Sequence, residues 1–117
     1  MNEYAKNYYG FLADLMNSVK FISNERNNID FYGGIERVCN LILTQANSGH
    51  KLMFIGNGAS AAISSHMSTD FWKTCGIRAI AFNDSSLLTC LGNDFGYEYI
   101  FEKSIEIFAD FGDIAFM

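Results

Sequence analysis

Lys51 to Asp70 reads KLMFIGNGASAAISSHMSTD: an apolar run, a glycine-bearing turn, then a helical stretch. Leu52, Met53, Phe54 and Ile55 follow one another without a polar interruption, as a parallel strand covered on both faces does. Gly56-Asn57-Gly58-Ala59-Ser60 then turns the chain with small residues, so that a ligand can approach the backbone closely. Ser60 falls at the expected helix start, where its hydroxyl can cap the helix or bond a phosphate oxygen. This order of elements is how an α/β protein presents backbone N–H groups to an anion at a helix N-terminus. His66 and Asp70 stand four residues apart on the helix, so imidazole and carboxylate share one face.

The rest of the chain extends this pattern. Tyr8, Phe11, Leu12, Leu15, Met16, Val19 and Ile22 recur at helical spacing and predict an amphipathic helix from about residue 3 to 23. SNERNNID is a polar break, after which Ile35, Val38, Cys39, Ile42 and Ala46 mark a second helix ended by Ser48-Gly49. The first strand, a helix from Ser60 to about Cys75 and a second strand over Ile77–Phe82 make a β-α-β unit. Asn83-Asp84-Ser85 is expected to cap a short helix over Leu87–Leu91, broken by Gly92-Asn93-Asp94. Helical periodicity resumes from Tyr97 to Phe108, and Asp113–Met117 begins a third strand. Strands alternating with helices imply a parallel sheet, with ligands at the C-terminal strand ends.

Bulk properties exclude several classes. At 117 residues the chain is one domain or part of one, and with half its residues hydrophobic it has ample material for a core. A net charge of -5 without a basic cluster argues against binding nucleic acid through its phosphates. No apolar run approaches the roughly 20 residues of a membrane span, and MNEYAKNYYGFL lacks the layout of a signal peptide. Cys39, Cys75 and Cys90 are scattered and in no metal-ligand spacing. They read as reduced core thiols of a cytoplasmic protein.

Two segments, GNGASAAISSHMSTD and FNDSSLLTCLGNDFGYEYIFEKSIEIFADFGDI, resemble the sugar isomerase (SIS) domain, and within it the phosphoheptose isomerases, which act on sedoheptulose 7-phosphate. GNDFGYEYIF between two helical patterns is the more distinctive part. The resemblance covers nearly the whole chain. It implies a SIS-type α/β fold, a parallel-sheet αβα sandwich, with an N-terminal helical pair (1–48) and the first part of the sheet with its helices (49–117). It also implies that such a domain continues past the third strand into a second serine-rich phosphate loop, two more strands, a late histidine and a C-terminal helix. On that ground the fold is expected to be incomplete at the C-terminus, and the chain alone inactive and prone to associate. A truncated frame, a frameshift and a fragment fit the sequence equally.

Residue by residue, the resemblance places Asn57, Gly58 and Ala59 at the sugar and Ser60 at the phosphate. Asn93 and Asp94 become a second substrate-contacting pair. His66 becomes a zinc ligand, with Asp70 contacting both metal and substrate as a catalytic group. Two departures stand out. Ala59 replaces the usual second glycine, and Asp70 stands where the family has Glu, shorter by one methylene, roughly 1.5 Å. A displacement of order 1 Å can cost a hundredfold in rate.

Each assignment has a plainer alternative. From spacing alone, His-x-x-x-Asp is more often a solvent-facing pair, an order that the surrounding motif reverses. Asn93 and Asp94 beside Gly92 also suit an ordinary helix end. Asp84 and Ser85 read as a cap, His50 as an exposed residue at a turn, and Phe71 and Trp72 as core or subunit interface. The function implied is ketose–aldose isomerisation of sedoheptulose 7-phosphate for surface polysaccharide, by a zinc-dependent cytoplasmic homotetramer with sites at subunit interfaces. The alternative is a non-catalytic SIS module that binds a phosphosugar and regulates a partner protein.

Overall fold

The uninterrupted apolar run of the sequence becomes the middle strand of a parallel sheet. In the computed structural model, which describes residues 1–117, β3 (Leu52–Phe54) lies between β4 (Ala79–Ala81) and β5 (Ile114–Phe116). Leu52, Met53 and Phe54 pair in register with Ala79, Ile80 and Ala81 on one side, and with Ile114, Ala115 and Phe116 on the other. All three β3 residues and Ile55 are buried, Leu52 almost completely. The absence of polar alternation has a direct cause, since both faces are covered. On one face Phe54 stacks against Phe71 of α3 (Ala59–Thr74), and against Phe116 of β5 with ring centroids 4.9 Å apart. On the other, Met53, Ile55 and Phe82 form a core with Phe101 and with Ile105 of α5 (Glu102–Phe108). Helices therefore lie on both faces of the sheet, the αβα arrangement expected of a SIS-type α/β fold.

These elements belong to one of two compact units, Ile42–Met117; the other is Met1–Leu41. In the N-terminal unit the first helix is shorter than its periodicity predicts. α1 spans Asn2–Ser18, and Val19 is already extended (φ -60°, ψ 134°). Phe21–Ile22 (β1) then pairs antiparallel with Asn28–Ile29 (β2). Val19 and Ile22 satisfy a helical period, but Val, Phe and Ile are also strand formers, and the hairpin gives their backbone partners. The turn closes through Ser23 and Asn27, with Arg26 in the left-handed region (φ 61°). Asp30 caps α2 (Phe31–Asn47), accepting the Gly33 N–H at 3.0 Å.

Two further boundaries differ from expectation. α4 covers Ser85–Asp94, so Gly92 does not break it. A glycine inside a helix costs only about 1 kcal/mol. Its cap is Asp84, which accepts the Leu87 N–H at 3.0 Å as the sequence predicts. Between α4 and α5 the chain makes a single 3₁₀ turn over Tyr97–Tyr99 where continuous helix was expected. The cysteines also differ: Cys39, Cys75 and Cys90 are free but exposed, so none is a core thiol. His50, expected to be exposed, is half-buried beside Gly112.

A charged clamp closes the N-terminal ends of β3 and β5. Lys51 Nζ donates to Asp113 at 2.6 Å and to Asp110 at 2.8 Å. Asp113 also accepts the backbone N–H groups of Lys51 (2.8 Å) and Asp110 (2.7 Å). Burial alone would raise the Asp113 pKa, but the Lys51 ammonium and the two backbone donors outweigh it and lower it to about 2. The opposite, C-terminal ends of β3 and β4 are left to the loops that lead into α3 and α4.

Candidate functional site

Gly56 and Gly58 shape the loop after β3, each for its own reason. A Cβ on Gly56 would stand 2.5 Å from the backbone of Ser60, so the strand end and the helix start touch only because the side chain is absent. Gly58 holds φ 61° and ψ -124°, a conformation that L side chains rarely adopt. Ala59 has no such constraint: it is the first residue of α3 and outside the left-handed region, so its methyl fits the turn.

The helix begins one residue earlier than predicted. Gly58 is its N-cap and no side chain bonds the free N–H groups of the first turn, so Ser60 does not act as the cap. Asn57, Gly58, Ala59 and Ser60 are all exposed. Ser60 also lines an open groove of about 260 Å³ with Phe54, Ile55, Ile63, Ser64 and Met67, whose walls are apolar apart from the two serines. Uncapped N–H groups at the end of a 16-residue helix favour an anion electrostatically.

Further along α3, His66 Nε2 stands 3.4 Å from Asp70 Oδ2, and Lys73 Nζ stands 3.2 Å from Asp70 Oδ1. Asp70 thus divides its charge between an imidazole and an ammonium. The shared face predicted from the i, i+4 spacing is present. No group of three or more His, Cys, Asp or Glu side chains gathers here or elsewhere in the chain. A tetrahedral zinc site takes about four ligands. The two donors of this helix do not make one.

Asn93 and Asp94 lie in the last turn of α4, not beyond it. Asn93 Nδ2 donates to Asp94 Oδ1 at 2.9 Å, and the Cys90 thiol points to Asp94 Oδ2 at 3.6 Å. That bond and the carboxylate charge push the Cys90 pKa up. Neither residue bonds to the 57–60 loop or to the His66–Asp70 pair. Ser60 and Asp70 are themselves ten residues apart on α3, which is about 15 Å of helix rise. The structure therefore presents three separate clusters: the loop, the His66–Asp70–Lys73 row and the end of α4.

One more residue belongs to this end of the sheet. Asn83, read as part of the α4 cap, turns the other way, and its Nδ2 donates to Ala61 O at 2.7 Å and Ser65 Oγ at 3.0 Å. The signal available was its position directly after the second strand, on the side where α/β proteins bind ligands.

No protein-family model matches the chain. Among curated proteins it is 32% identical over 120 aligned positions to the phosphoheptose isomerase of Akkermansia muciniphila, covering 97% of this chain and 59% of that protein. It is 38% identical over 86 positions to the phosphoheptose isomerase of Geotalea uraniireducens, covering 68% of this chain and 46% of that one. Its fold is similar to the solved phosphoheptose isomerase of Neisseria gonorrhoeae, with a TM-score of 0.65 and 30% identity, across 68% of this chain and 44% of that one. The enzyme from Francisella tularensis gives a TM-score of 0.64 at 27% identity, with 69% and 44% covered. The chain spans between two fifths and three fifths of the length of these relatives. Over the part of their length that it spans, this chain is similar to phosphoheptose isomerases in both sequence and fold.

Proposed function

We propose that the protein acts in the isomerisation of sedoheptulose 7-phosphate to an aldo-heptose 7-phosphate, and that Asn57–Ser60 hold the sugar phosphate. The observation that carries this reading is the loop itself. Gly56 brings the strand end against the start of α3, Gly58 takes the turn, and the uncapped N–H groups of a long helix face outward beside Ser60. Such a helix end suits a dianionic phosphate. The relatives above, all phosphoheptose isomerases, give the substrate class.

The reaction moves a proton between adjacent carbons. A base breaks the C1–H bond, the electron pair forms a C1–C2 double bond, and the C2 carbonyl oxygen takes a proton. The enediol is then protonated at C2 while the C1 hydroxyl loses its proton to give the aldehyde. A carboxylate can serve as the base, and Asp70 is the one that this reading assigns. His66 and Lys73 flank it on the same helix. Asn93 and Asp94 are assigned to the sugar hydroxyls. Because Ser60 and Asp70 are far apart along one helix, assembly into a homo-oligomer, with the site completed between copies, suits this reading. The exposed stripe of Tyr8, Phe11, Leu15 and Met16 on α1 supports it. Zinc would draw on His66 and Asp70 together with ligands from outside this cluster. A cytoplasmic place in surface-polysaccharide synthesis completes the proposal.

Calorimetric titration with sedoheptulose 7-phosphate and with inorganic phosphate tests the assignment. Ser60→Ala should weaken both ligands, because it acts at the phosphate. Asp70→Asn should weaken the sugar phosphate and leave inorganic phosphate unchanged. No binding by the parent chain, or equal effects of the two substitutions on both ligands, would refute it.

A further inference from the structure

We infer that Asn83 is a positioning residue for the phosphosugar loop, its carboxamide tying the end of β4 to the first two turns of α3. The inference rests on the loop assignment of the preceding section. Nδ2 makes two bonds, to the Ala61 carbonyl at 2.7 Å and the Ser65 hydroxyl at 3.0 Å. A carbonyl oxygen can only accept, so the nitrogen of the carboxamide faces α3 and its orientation is fixed. Oδ1 is shielded from solvent and has no partner in the chain. Burying an unpaired acceptor is unfavourable, and an apolar side chain would fill the space without that penalty. The residue is therefore poorly explained by packing alone, and buried polar atoms of this kind call for another role.

Its place in the chain supplies one. Asn83 follows Phe82, which is locked in the core, and precedes Asp84, the cap of α4. Its own backbone is thus fixed on both sides. α3, in contrast, begins on Gly58 with no side-chain cap, and its first turn is closed locally by the Ala61 N–H to Gly58 carbonyl bond at 3.1 Å. The carboxamide adds a second tie, from a neighbouring strand. It holds Ala61, one residue past Ser60, and through it the far end of the Gly56–Ser60 loop. The near end is held by β3. A ligand at the loop then meets N–H groups that are already ordered, which lowers the entropic cost of binding.

Three variants test this: Asn83→Ala, the near-isosteric Asn83→Asp, which cannot donate to Ala61, and Ser65→Ala, which removes one tether at an exposed position. All measurements are made well below each variant's melting temperature. The first two should weaken sedoheptulose 7-phosphate by roughly tenfold and Ser65→Ala by a few-fold, as loss of positioning without loss of contact does. Without ligand, the backbone amides of Asn57–Ser60 should change chemical shift and those of Ile63–Ser65 should exchange faster. A purely structural residue would lower the melting temperature while affinity and loop amides stayed at parental values, and that result overturns the inference. If the parent chain binds no sedoheptulose 7-phosphate, the loop assignment fails, and the ligand-free amides decide on the tether alone. If Asn83→Ala does not fold, Ser65→Ala decides: unchanged loop amides refute the tie, and displaced ones support it.

Discussion

Asp113→Asn should cost the fold about 2 kcal/mol at neutral pH and flatten its response to acid. The Asp113 carboxyl has a pKa of about 2, well below its ordinary 3.8. At about 1.4 kcal/mol per unit this is on the order of 2 kcal/mol of preferential interaction with the ionised form. The side chain is only 3% exposed, so solvent screening takes little from that figure. A group whose pKa is depressed by folding contributes its stability above its unfolded value and loses it as pH falls through the folded one. Here that window runs from about 4 down to about 2. Asparagine keeps the size, but turns one donor-bearing end toward the donors of Lys51 or Asp110. Lys51 is left with Asp110 alone, whose side chain is 80% exposed and whose pairing is worth little. Urea unfolding followed by circular dichroism at pH 7 and pH 3 measures both effects. With a slope of about 1–3 kcal/mol per molar urea, the midpoint at pH 7 should fall by about 1 M. An unchanged midpoint, or parental and variant stabilities that fall in parallel on acidification, would refute the clamp as a source of stability.

Other substitutions follow from the same structure. Leu52→Ala, at the most buried large side chain, should cost about 2–5 kcal/mol by urea unfolding. Gly56→Ala forces a methyl into the backbone of Ser60, so phosphate binding should be lost even where circular dichroism shows retained helix. Asp84→Ala removes the α4 cap and should cost about 1 kcal/mol, read as a lower melting temperature. Zinc should bind this chain no more tightly than micromolar, since only His66 and Asp70 pair on α3; nanomolar binding that survives His66→Ala would place the metal elsewhere.

What could be read in advance was local. Leu52–Ile55 announced a doubly covered strand because four consecutive apolar residues leave no solvent face, and Gly56–Ser60 announced the loop that follows it. The β1–β2 hairpin was hidden because Phe21 and Ile22 fit a helical period as well as a strand. Their partners, Asn28 and Ile29, form a strand too short to show alternation. Gly92 looked like a stop, yet the helix tolerates it and carries Asn93 and Asp94 within its last turn. The Lys51–Asp113 pair joins residues 62 apart, and no periodicity encodes a contact of that range. In sequence Asn83 reads as a local cap, because Asn at a helix start usually is one. Its tertiary bonds to Ala61 and Ser65 appear only once β4 lies beside α3.

The central claim, that the loop after β3 is the phosphosugar site, is tested most directly by amide chemical shifts during a titration with sedoheptulose 7-phosphate. The account predicts that Asn57, Gly58, Ala59 and Ser60 move first and saturate together, with Phe82 and the buried strand unaffected. Perturbations confined to α1 and α2, or spread evenly over the surface without saturation, would contradict it.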